Sequence, residues 1–276
     1  MPEESTDVLV TGGTGVLGAH VVRLLLQRER SVRVLTRQVS PKLPDGVRAI
    51  TGDLSTAAGL SSALDGVAVV LHCGSSPRRH REVDVQGTRG LVVAARRLPT
   101  PPHLVYISIV GCDRIPFGYY RSKALAELAI AESGMPWTVL RTTQFHDLVF
   151  SLAYGASALP VVPAPRGLAD QPIDVTAVAE RLVDLALDDP AGRVSDIGGP
   201  EVLSIQEILR VVQRATGRER RLVTVPAPGR MLSALRSGAH LAPEHRVGGT
   251  FAEYVNRHVH AEGGSTRVDV PYRWRT

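Results

Sequence analysis

The sequence predicts an α/β fold in which a doubly wound parallel sheet is followed by a small C-terminal lobe. Short β-branched runs alternate with stretches of helical period through the first two-thirds of the chain. This alternation is expected for repeated strand–helix units with right-handed crossovers. The runs are also short and continuously apolar, which is typical of strands buried on both faces of a parallel sheet.

Six apolar runs are predicted strands, and amphipathic stretches of helical period separate or follow them. The predicted strands are 7–10, 32–35, 47–50, 67–71, 104–107 and 138–140. The predicted helices are 16–27, 57–64, 83–97, 119–133 and 176–187. The fourth helix is predicted to stop at Gly134, because glycine commonly follows the last helical turn and Pro136 cannot continue it.

The remainder of the chain is less regular. Residues 145–172 contain four prolines and are predicted to be loop-rich, whereas 204–216 has the period of a helix. We expect residues 1–190 to form the sheet domain and most of 191–276 to form a smaller substrate-binding lobe, with 145–172 contributing. An open α/β sheet binds ligands at the carboxyl ends of its strands, so this lobe is expected over that edge.

Composition narrows the classes of function. The 276 residues are 43% hydrophobic and 21% charged, as in soluble globular proteins. The net charge is +5, but the arginines are scattered among acids along most of the chain. The densest basic run, at 218–221, is short and has no interleaved aromatic residues, so we expect no nucleic-acid partner. No apolar run reaches the roughly 18 residues that span a bilayer, and we expect no membrane partner.

Cysteine usage and the N-terminus point to a reducing compartment. The two cysteines, Cys73 and Cys112, form no disulfide framework and no metal-binding spacing, so no metal is expected. The first four residues are acidic and lack the profile of a signal peptide. We therefore expect a cytoplasmic protein. The sequence leaves open whether it is a monomer or a homodimer.

A glycine-rich turn, "TGGTGVLG" at 11–18, follows the first predicted strand and precedes the first predicted helix. This spacing places glycine where the turn is tight, where backbone approaches a pyrophosphate and where helix and strand pack closely. The helix start would present N–H groups and a positive dipole end to the phosphates. The expected dinucleotide contacts in this turn are Gly12, Thr14, Gly15, Val16, Leu17 and Gly18.

The residues after the second strand favour NADP(H), with NAD(H) as the alternative. NAD sites usually place an acid there to bind the ribose 2′-hydroxyl, but this strand ends in Thr36-Arg37. The guanidinium of Arg37 is suited to a 2′-phosphate, although it could also be one more surface arginine.

Residues after the third and fourth strands complete the expected cofactor site. Asp53, followed by Leu54, is placed either to bind the adenine amine or to cap a helix. The fourth strand ends in His72-Cys73-Gly74, where small residues would let the cofactor lie across the sheet. For His72 we favour packing beside the cofactor over a role as catalytic base.

Tyr119 and Lys123 are the candidate acid–base pair. Residues four apart share one face of a helix, and only Tyr119 of the pair Tyr119-Tyr120 has that spacing to Lys123. A neighbouring ammonium stabilises a phenolate and suits tyrosine to acid–base work near neutral pH. The lysine would also reach a ribose hydroxyl of the cofactor. Lysine is rare here, since only Lys42 and Lys123 occur among 32 basic residues.

The order of these stretches resembles the short-chain dehydrogenase/reductase superfamily, specifically its extended and atypical branches. The resemblance covers roughly residues 7–190 and implies a Rossmann fold, NAD(P)(H) and catalysis by Tyr119 and Lys123. "TFAEYV" at 250–255 also looks like the tail helix of atypical members. The matching stretches are "VLVTGGTGVLG" (8–18), "GDL" (52–54), "VDVQGTRGLVVAAR" (83–96), "LVYISIVG" (104–111), "YYRSKALAE" (119–127) and "WTVLR" (137–141).

One departure from the superfamily concerns its third catalytic member. The family usually adds a serine or threonine just after the fifth strand, which hydrogen-bonds the substrate oxygen. Ser108 is the nearest candidate, but Ile109 and Val110 follow where a second hydroxyl is expected. Ser108 is therefore either catalytic, or orients the cofactor, or only satisfies backbone at the strand end.

The loop after the sixth strand is expected to line the substrate pocket through Gln144, Phe145 and His146. The apolar stretch 148–159 indicates a fairly hydrophobic small-molecule substrate, unless these residues only cover the sheet. The leading hypothesis is an NADP(H)-dependent oxidoreductase acting on a carbonyl or alcohol. One alternative is a non-catalytic, redox-sensing regulator of the NmrA-like type, and the other is a sugar-nucleotide epimerase or dehydratase.

Overall fold

The computed structural model describes residues 7–262 and 265–270, and the chain forms two compact units. The first unit contains the described residues up to 108 together with 117–141 and 178–195. The second contains 109–116, 142–177 and the described residues from 196 onward. The stretch 145–172, which was expected to contribute to the smaller lobe, falls within the second unit.

The described strands, in chain order, are β1 (Val8–Thr11), β2 (Val32–Thr36), β3 (Val47–Thr51), β4 (Val69–His72), β5 (His103–Ile109), β6 (Trp137–Thr142), β7 (Val161–Pro165), β8 (Ala169–Asp170), β9 (Gly192–Arg193), β10 (Leu203–Ser204), β11 (Arg221–Val225), β12 (Val259–Glu262) and β13 (Ser265–Val268). The α-helices are α1 (Val16–Gln27), α2 (Leu60–Leu64), α3 (Thr88–Ala95), α4 (Gly118–Ala131), α5 (His146–Ala156), α6 (Val175–Leu187), α7 (Ile205–Thr216), α8 (Arg230–Arg236) and α9 (Phe251–His258). A 3₁₀ turn covers Leu54–Thr56, and a π-helical segment covers Arg81–Gly87.

The centre of the fold is a seven-stranded parallel sheet in the order β3-β2-β1-β4-β5-β6-β9. β1 lies between β2 and β4, so the direction in which strands are added reverses at the β1/β4 neighbours. Open α/β sheets bind ligands at this reversal, outside the carboxyl ends of the strands. The predicted doubly wound α/β fold is confirmed, and each of the six predicted strands overlaps an observed strand of this sheet.

The core of the first unit explains why these segments fold as they do. Leu9, Val70 and Leu104 on three neighbouring strands are at most 1% exposed and pack with helix residues such as Leu91 and Ile130. A strand that is buried on both faces carries apolar side chains on each face. Its sequence is therefore continuously apolar and does not alternate between apolar and polar residues.

The predicted helix at 83–97 begins in a different form. The chain turns first through the π-helical segment Arg81–Gly87 and then continues as α3. Asp84 in the π-helical segment is fully buried, which apolar periodicity alone does not predict. Wide helical turns of this kind occur frequently at functional sites.

The prediction that 145–172 is loop-rich was wrong. α5 occupies His146–Ala156, and its Val149, Phe150 and Ala153 pack in the core of the second unit. The prolines belong partly to β7, which pairs only with β11 among the described strands. An edge strand tolerates proline because the missing N–H need not complete a ladder on both sides.

The second unit has its own core, formed mainly by α5, α7 and α9. α7 and α9 both begin with a capping box, at Ser204/Glu207 and Thr250/Glu253 respectively. Such boxes satisfy backbone N–H groups that a helix start leaves without partners. α9 confirms the predicted tail helix at 250–255. Within the described residues, no helix is long and apolar enough to cross a membrane.

Candidate cofactor and catalytic site

The glycine turn between β1 and α1 packs directly against the end of β4. Gly12 has φ +71°, and a Cβ at this position would lie 2.8 Å from the backbone of Cys73 and Gly74. A Cβ on Gly18 would lie 2.2 Å from the carbonyl oxygen of Gly12. Both glycines are therefore required by the close approach of backbone to backbone.

The start of α1 is suited to an anion. Gly15 precedes the helix in an extended conformation, and the first helical turn contains no acidic residue. The positive end of the helix dipole is therefore not neutralised by an acidic side chain of that turn. A helix N-terminus of this form is a common binding site for phosphate groups.

A cavity of about 500 Å³ opens beside this turn, within the first unit. Eight of the predicted cofactor residues line it: Gly12, Thr14, Gly15, Arg37, Asp53, Leu54, Cys73 and Gly74. The other lining residues are Leu35, Thr36, Gln38, Gly52, Ser75, Ser76, Arg79 and Val83. A glycine cradle, a helix N-terminus and two arginines at one cavity fit the phosphates and ribose of a dinucleotide.

Arg37 and Arg79 flank Asp53 in this cavity. Asp53 accepts hydrogen bonds from the Ser55 N–H and Oγ at 2.8 Å each and thereby caps the 3₁₀ turn. Burial acts to raise the pKa of Asp53, but the hydrogen bonds from Ser55 and the charges of both arginines outweigh it and hold the pKa below its usual range. Arg79 also lies 3.4 Å from Ser55 Oγ.

His72 lies beneath the glycine turn and is fully buried. Its Nδ1 is 2.6 Å from Thr11 Oγ1, and its Nε2 is 2.9 Å from Thr88 Oγ1. Thr11 Oγ1 in turn accepts the Gly74 N–H at 3.1 Å. Burial, with a smaller contribution from the charge of Lys123, lowers the pKa of His72 to about 3. The neutral imidazole thus ties β1, β4 and α3 together below the cavity.

Tyr119 and Lys123 lie on one face of α4 and belong to one hydrogen-bonded cluster. Tyr119 Oη is 2.9 Å from Ser75 Oγ, and Ser75 donates to Asp84 Oδ1 at 2.6 Å. Lys123 Nζ lies 3.4 Å from the same Asp84 oxygen and donates to the Ile107 carbonyl at 3.1 Å. The pair identified by spacing is therefore connected through Ser75 and Asp84.

Lys123 is a buried ammonium, with 3% of its side chain exposed. Burial alone would lower the pKa of Lys123, but the oxygens of Tyr106, Tyr119 and Asp84 outweigh it and raise that pKa well above its usual value. Its Nζ also lies 4.7 Å from the centroid of the Tyr106 ring. Lys123 consequently places a fixed positive charge in this cluster.

Ser108, Gln144, Phe145 and His146 are not among the described lining residues of the cavity. Ser108 is 1% exposed within β5, and Ser75 and Ser76 are the serines on the described cavity wall. Gln144, Phe145 and His146 belong to the second unit, where Gln144 and Phe145 are half-buried. The ring of His146 is enclosed between Phe251 and Tyr254, and burial lowers its pKa to about 4.

Among the residues of this site that were not predicted from the sequence, Ser75, Arg79 and Asp84 bear most on its chemistry. Ser75 and Arg79 follow the carboxyl end of β4, the edge where parallel sheets bind ligands. That position could have been used to select them. Asp84 carries no comparable pattern, because a single acid in an amphipathic stretch is typical of a solvated helix face.

The fold and site define a dinucleotide-binding Rossmann protein, and comparison with known proteins places it more narrowly. A family model described as NAD(P)H-binding matches residues 12–189. The chain belongs to this NAD(P)H-binding family, within the short-chain dehydrogenase/reductase superfamily. Its architecture is that of the superfamily's NAD(P)-binding oxidoreductases and epimerases.

Curated relatives include dehydrogenases and reductases. Human 3 beta-hydroxysteroid dehydrogenase type 7 is 36% identical over 162 residues, which cover 45% of this chain and 44% of the relative. The chain thus corresponds to less than half the length of that enzyme. The (4-alkanoyl-5-oxo-2,5-dihydrofuran-3-yl)methyl phosphate reductase of Streptomyces griseus is 31% identical over 219 residues, 76% of this chain and 74% of the relative.

Solved structures share the fold at low sequence identity. An NADPH-dependent quinone oxidoreductase from Escherichia coli, complexed with NADPH, has a TM-score of 0.74 at 18% identity and covers 91% of this chain and 99% of its own. A UDP-glucose 4-epimerase from Thermus thermophilus, complexed with NAD, has a TM-score of 0.69 at 22% identity and covers 91% and 97%. The fold therefore occurs with either dinucleotide.

Gly12→Ala should abolish measurable dinucleotide binding and lower the free energy of unfolding. The added methyl group would lie 2.8 Å from the backbone of Cys73 and Gly74, and the alanine would also have to adopt a left-handed conformation. Gly66→Ala is the matched control, since Gly66 has φ +67° but no atom within 4 Å of an added methyl group. It should cost about 1 kcal/mol from backbone strain alone and leave binding intact. Calorimetric titration with NADPH, combined with urea unfolding, measures both quantities; equal binding by the two variants would contradict the proposed contact.

His72→Gln should reduce the acid sensitivity of folding. The folded-state pKa of His72 is about 3, below the unfolded value of about 6.5, so between these values only the unfolded state takes up the proton. Stability is therefore lost as pH falls below about 6.5, by up to about 1.4 kcal/mol per pH unit from this residue. Urea unfolding at pH 7 and pH 5 should show a smaller difference for the variant than for the native protein. An unchanged difference would show that His72 is not held neutral by burial.

Proposed function

We propose that this protein is an NADP(H)-dependent oxidoreductase that acts on a carbonyl or alcohol of a small, fairly apolar substrate, with Tyr119 as the acid–base residue. The observation that carries the proposal is the cluster at α4, in which the Tyr119 hydroxyl is linked through Ser75 and Asp84 to a buried Lys123 ammonium. A phenol connected to a fixed cation, at the strand edge where this fold holds its dinucleotide, is suited to proton transfer.

The chain's residues divide the binding task between them. Gly12 and Gly18 allow the close backbone packing that shapes the turn, and the N-terminus of α1 stabilises the charge of the pyrophosphate. Arg37 and Arg79 are the groups we assign to the 2′-phosphate, because a guanidinium pairs well with phosphate oxygens. When bound, the cofactor supplies or accepts the hydride.

Tyr119 holds a proton at Oη and transfers it to the substrate oxygen in the direction of reduction. Lys123 acts through its charge, because its ammonium is already bonded to Asp84 and the Ile107 carbonyl. A fixed positive charge stabilises the oxygen left behind when the phenol gives up its proton. In the direction of oxidation the same oxygen accepts the proton from the alcohol.

The relatives support reductase chemistry more directly than the alternatives. The Streptomyces relative, which aligns over three-quarters of both chains, is by name a reductase. The epimerase similarity is structural and below 25% identity, so it supports the fold alone. A non-catalytic regulator would bind dinucleotide without needing the connection between Tyr119 and Lys123.

Tyr119→Phe should cut turnover at least about a hundredfold, the usual scale for an acid–base group, and leave NADPH affinity within about twofold. Turnover is measured as NADPH consumption across a panel of apolar aldehydes, ketones and quinones. Tyr120→Phe is the matched control, since Tyr120 is the adjacent tyrosine and is buried on α4. It should keep activity within about threefold.

Equal activity of Tyr119→Phe and the native protein would remove Tyr119 from the mechanism. NADP binding that alters affinity for a protein partner, with no turnover on any carbonyl, would favour the regulator.

Arg37→Ala should weaken NADPH binding by about tenfold or more and NADH binding by less than about twofold. The difference reflects loss of a charge-assisted contact to the 2′-phosphate, which is worth about 1.5–3 kcal/mol. Fluorescence titration with each dinucleotide measures the ratio. Arg48→Ala removes an exposed arginine of β3 and should change neither affinity, since Arg48 is not among the cavity-lining residues described. A parallel loss for both dinucleotides in Arg37→Ala would contradict the assignment to NADP(H).

A further inference from the structure

The hydrogen-bond donors in the Tyr119 cluster have a defined order. Ser75 donates its single proton to Asp84 Oδ1 at 2.6 Å. The 2.9 Å contact between Ser75 Oγ and Tyr119 Oη must then use the phenol proton, because a serine hydroxyl has only one hydrogen to give. In this structure the protonated Tyr119 therefore donates to Ser75, and Ser75 donates to Asp84.

Asp84 does not depend on Ser75 alone. The side chain is fully buried, and its Oδ2 accepts the Ser76 N–H at 3.1 Å while Oδ1 faces Lys123 Nζ at 3.4 Å. The carboxylate consequently keeps a backbone donor and a cation if the Ser75 hydroxyl turns away. A buried carboxylate without such partners would be strongly unfavourable.

Ser75, in contrast, is free to turn. It is exposed on the cavity wall, and its Oγ contacts only the Tyr119 and Asp84 side chains among the hydrogen bonds described. Rotation about one side-chain bond redirects its hydrogen from the carboxylate to the phenol oxygen.

We propose that Ser75 is a positioning residue for Tyr119, with Asp84 as the group that holds it. While Tyr119 is protonated, Ser75 accepts the phenol hydrogen and fixes the ring. When Tyr119 has given its proton to the substrate oxygen, the Ser75 hydrogen turns from Asp84 to the phenolate without leaving its own oxygen. In this step one proton moves from Tyr119 to the substrate, and Ser75 keeps its own hydrogen and changes only its hydrogen-bond partner. This role rests on the proposed function, and it differs from the role expected of a hydroxyl after β5, which was to hydrogen-bond the substrate oxygen.

The experiment compares steady-state kinetics of variants at position 75. Ser75→Ala removes the hydroxyl that would donate to the phenolate, whereas Ser75→Thr keeps a hydroxyl and should retain kcat within about threefold of the native value. Ser62→Ala removes an exposed hydroxyl on α2 and should leave kcat unchanged. A kcat in Ser75→Thr as low as in Ser75→Ala would overturn the proposal. Circular dichroism confirms folding, which the exposed position of Ser75 favours.

The same assay separates this inference from the proposed function. With the carbonyl substrate identified in the Tyr119→Phe assay, Ser75→Ala should lower kcat by about tenfold with KM and NADPH affinity within about twofold. Full activity of Tyr119→Phe would reject the proposed function, whatever Ser75 does. An inactive Tyr119→Phe with an undiminished Ser75→Ala, or a loss in Ser108→Ala alone, would reject only the role of Ser75.

Discussion

The close approach of the β1–α1 turn to the end of β4 is the constraint on which the site depends. Gly12 lies where a single added carbon would be 2.8 Å from the backbone of Cys73 and Gly74. The contact brings together the two strands at which the sheet reverses its order, and the cavity opens beside it. His72 reinforces it from below through Thr11 and Thr88, and Thr11 also binds the Gly74 N–H. The turn that is expected to bind the dinucleotide therefore also packs β1 against the end of β4.

The second organising feature is a buried pair of opposite charges next to the cavity. Asp84 and Lys123 are at most 3% exposed, and neither would be tolerated alone. Breaking such a pair usually costs about 3–5 kcal/mol, because the remaining charge is left without a partner. The π-helical segment supplies the acid and α4 supplies the cation, so two helical elements are fixed to each other at the position where Tyr119 reaches Ser75. The charge pair that stabilises the site also sets the electrostatics of its reactive group.

Much of this arrangement could be predicted from residue pattern. Glycine spacing located the turn because the steric demand is local, and the four-residue spacing placed Tyr119 and Lys123 on one face because helix geometry is regular. The pattern failed at α5, where prolines shortly downstream made an amphipathic helix look like the start of a loop. It also placed His146 at a pocket, whereas the ring lies in an aromatic core formed with α9, far away in sequence. Contacts between distant segments leave no local period in the sequence.

The sequence by itself determined the sheet of strands and helices, the dinucleotide turn and the tyrosine–lysine face, because each follows from steric rules acting within about ten residues. Only the tertiary structure decided what Tyr119 touches. Ser75 and Asp84 lie 44 and 35 positions before Tyr119 in the chain, and the folding of β4 and the π-helical segment beside α4 brings them within hydrogen-bond reach. Lys123 stabilises the cluster as a buried charge because that same folding removes water and supplies a carboxylate. Local geometry selects the reactive residues, and packing between distant segments sets their hydrogen bonds and charges.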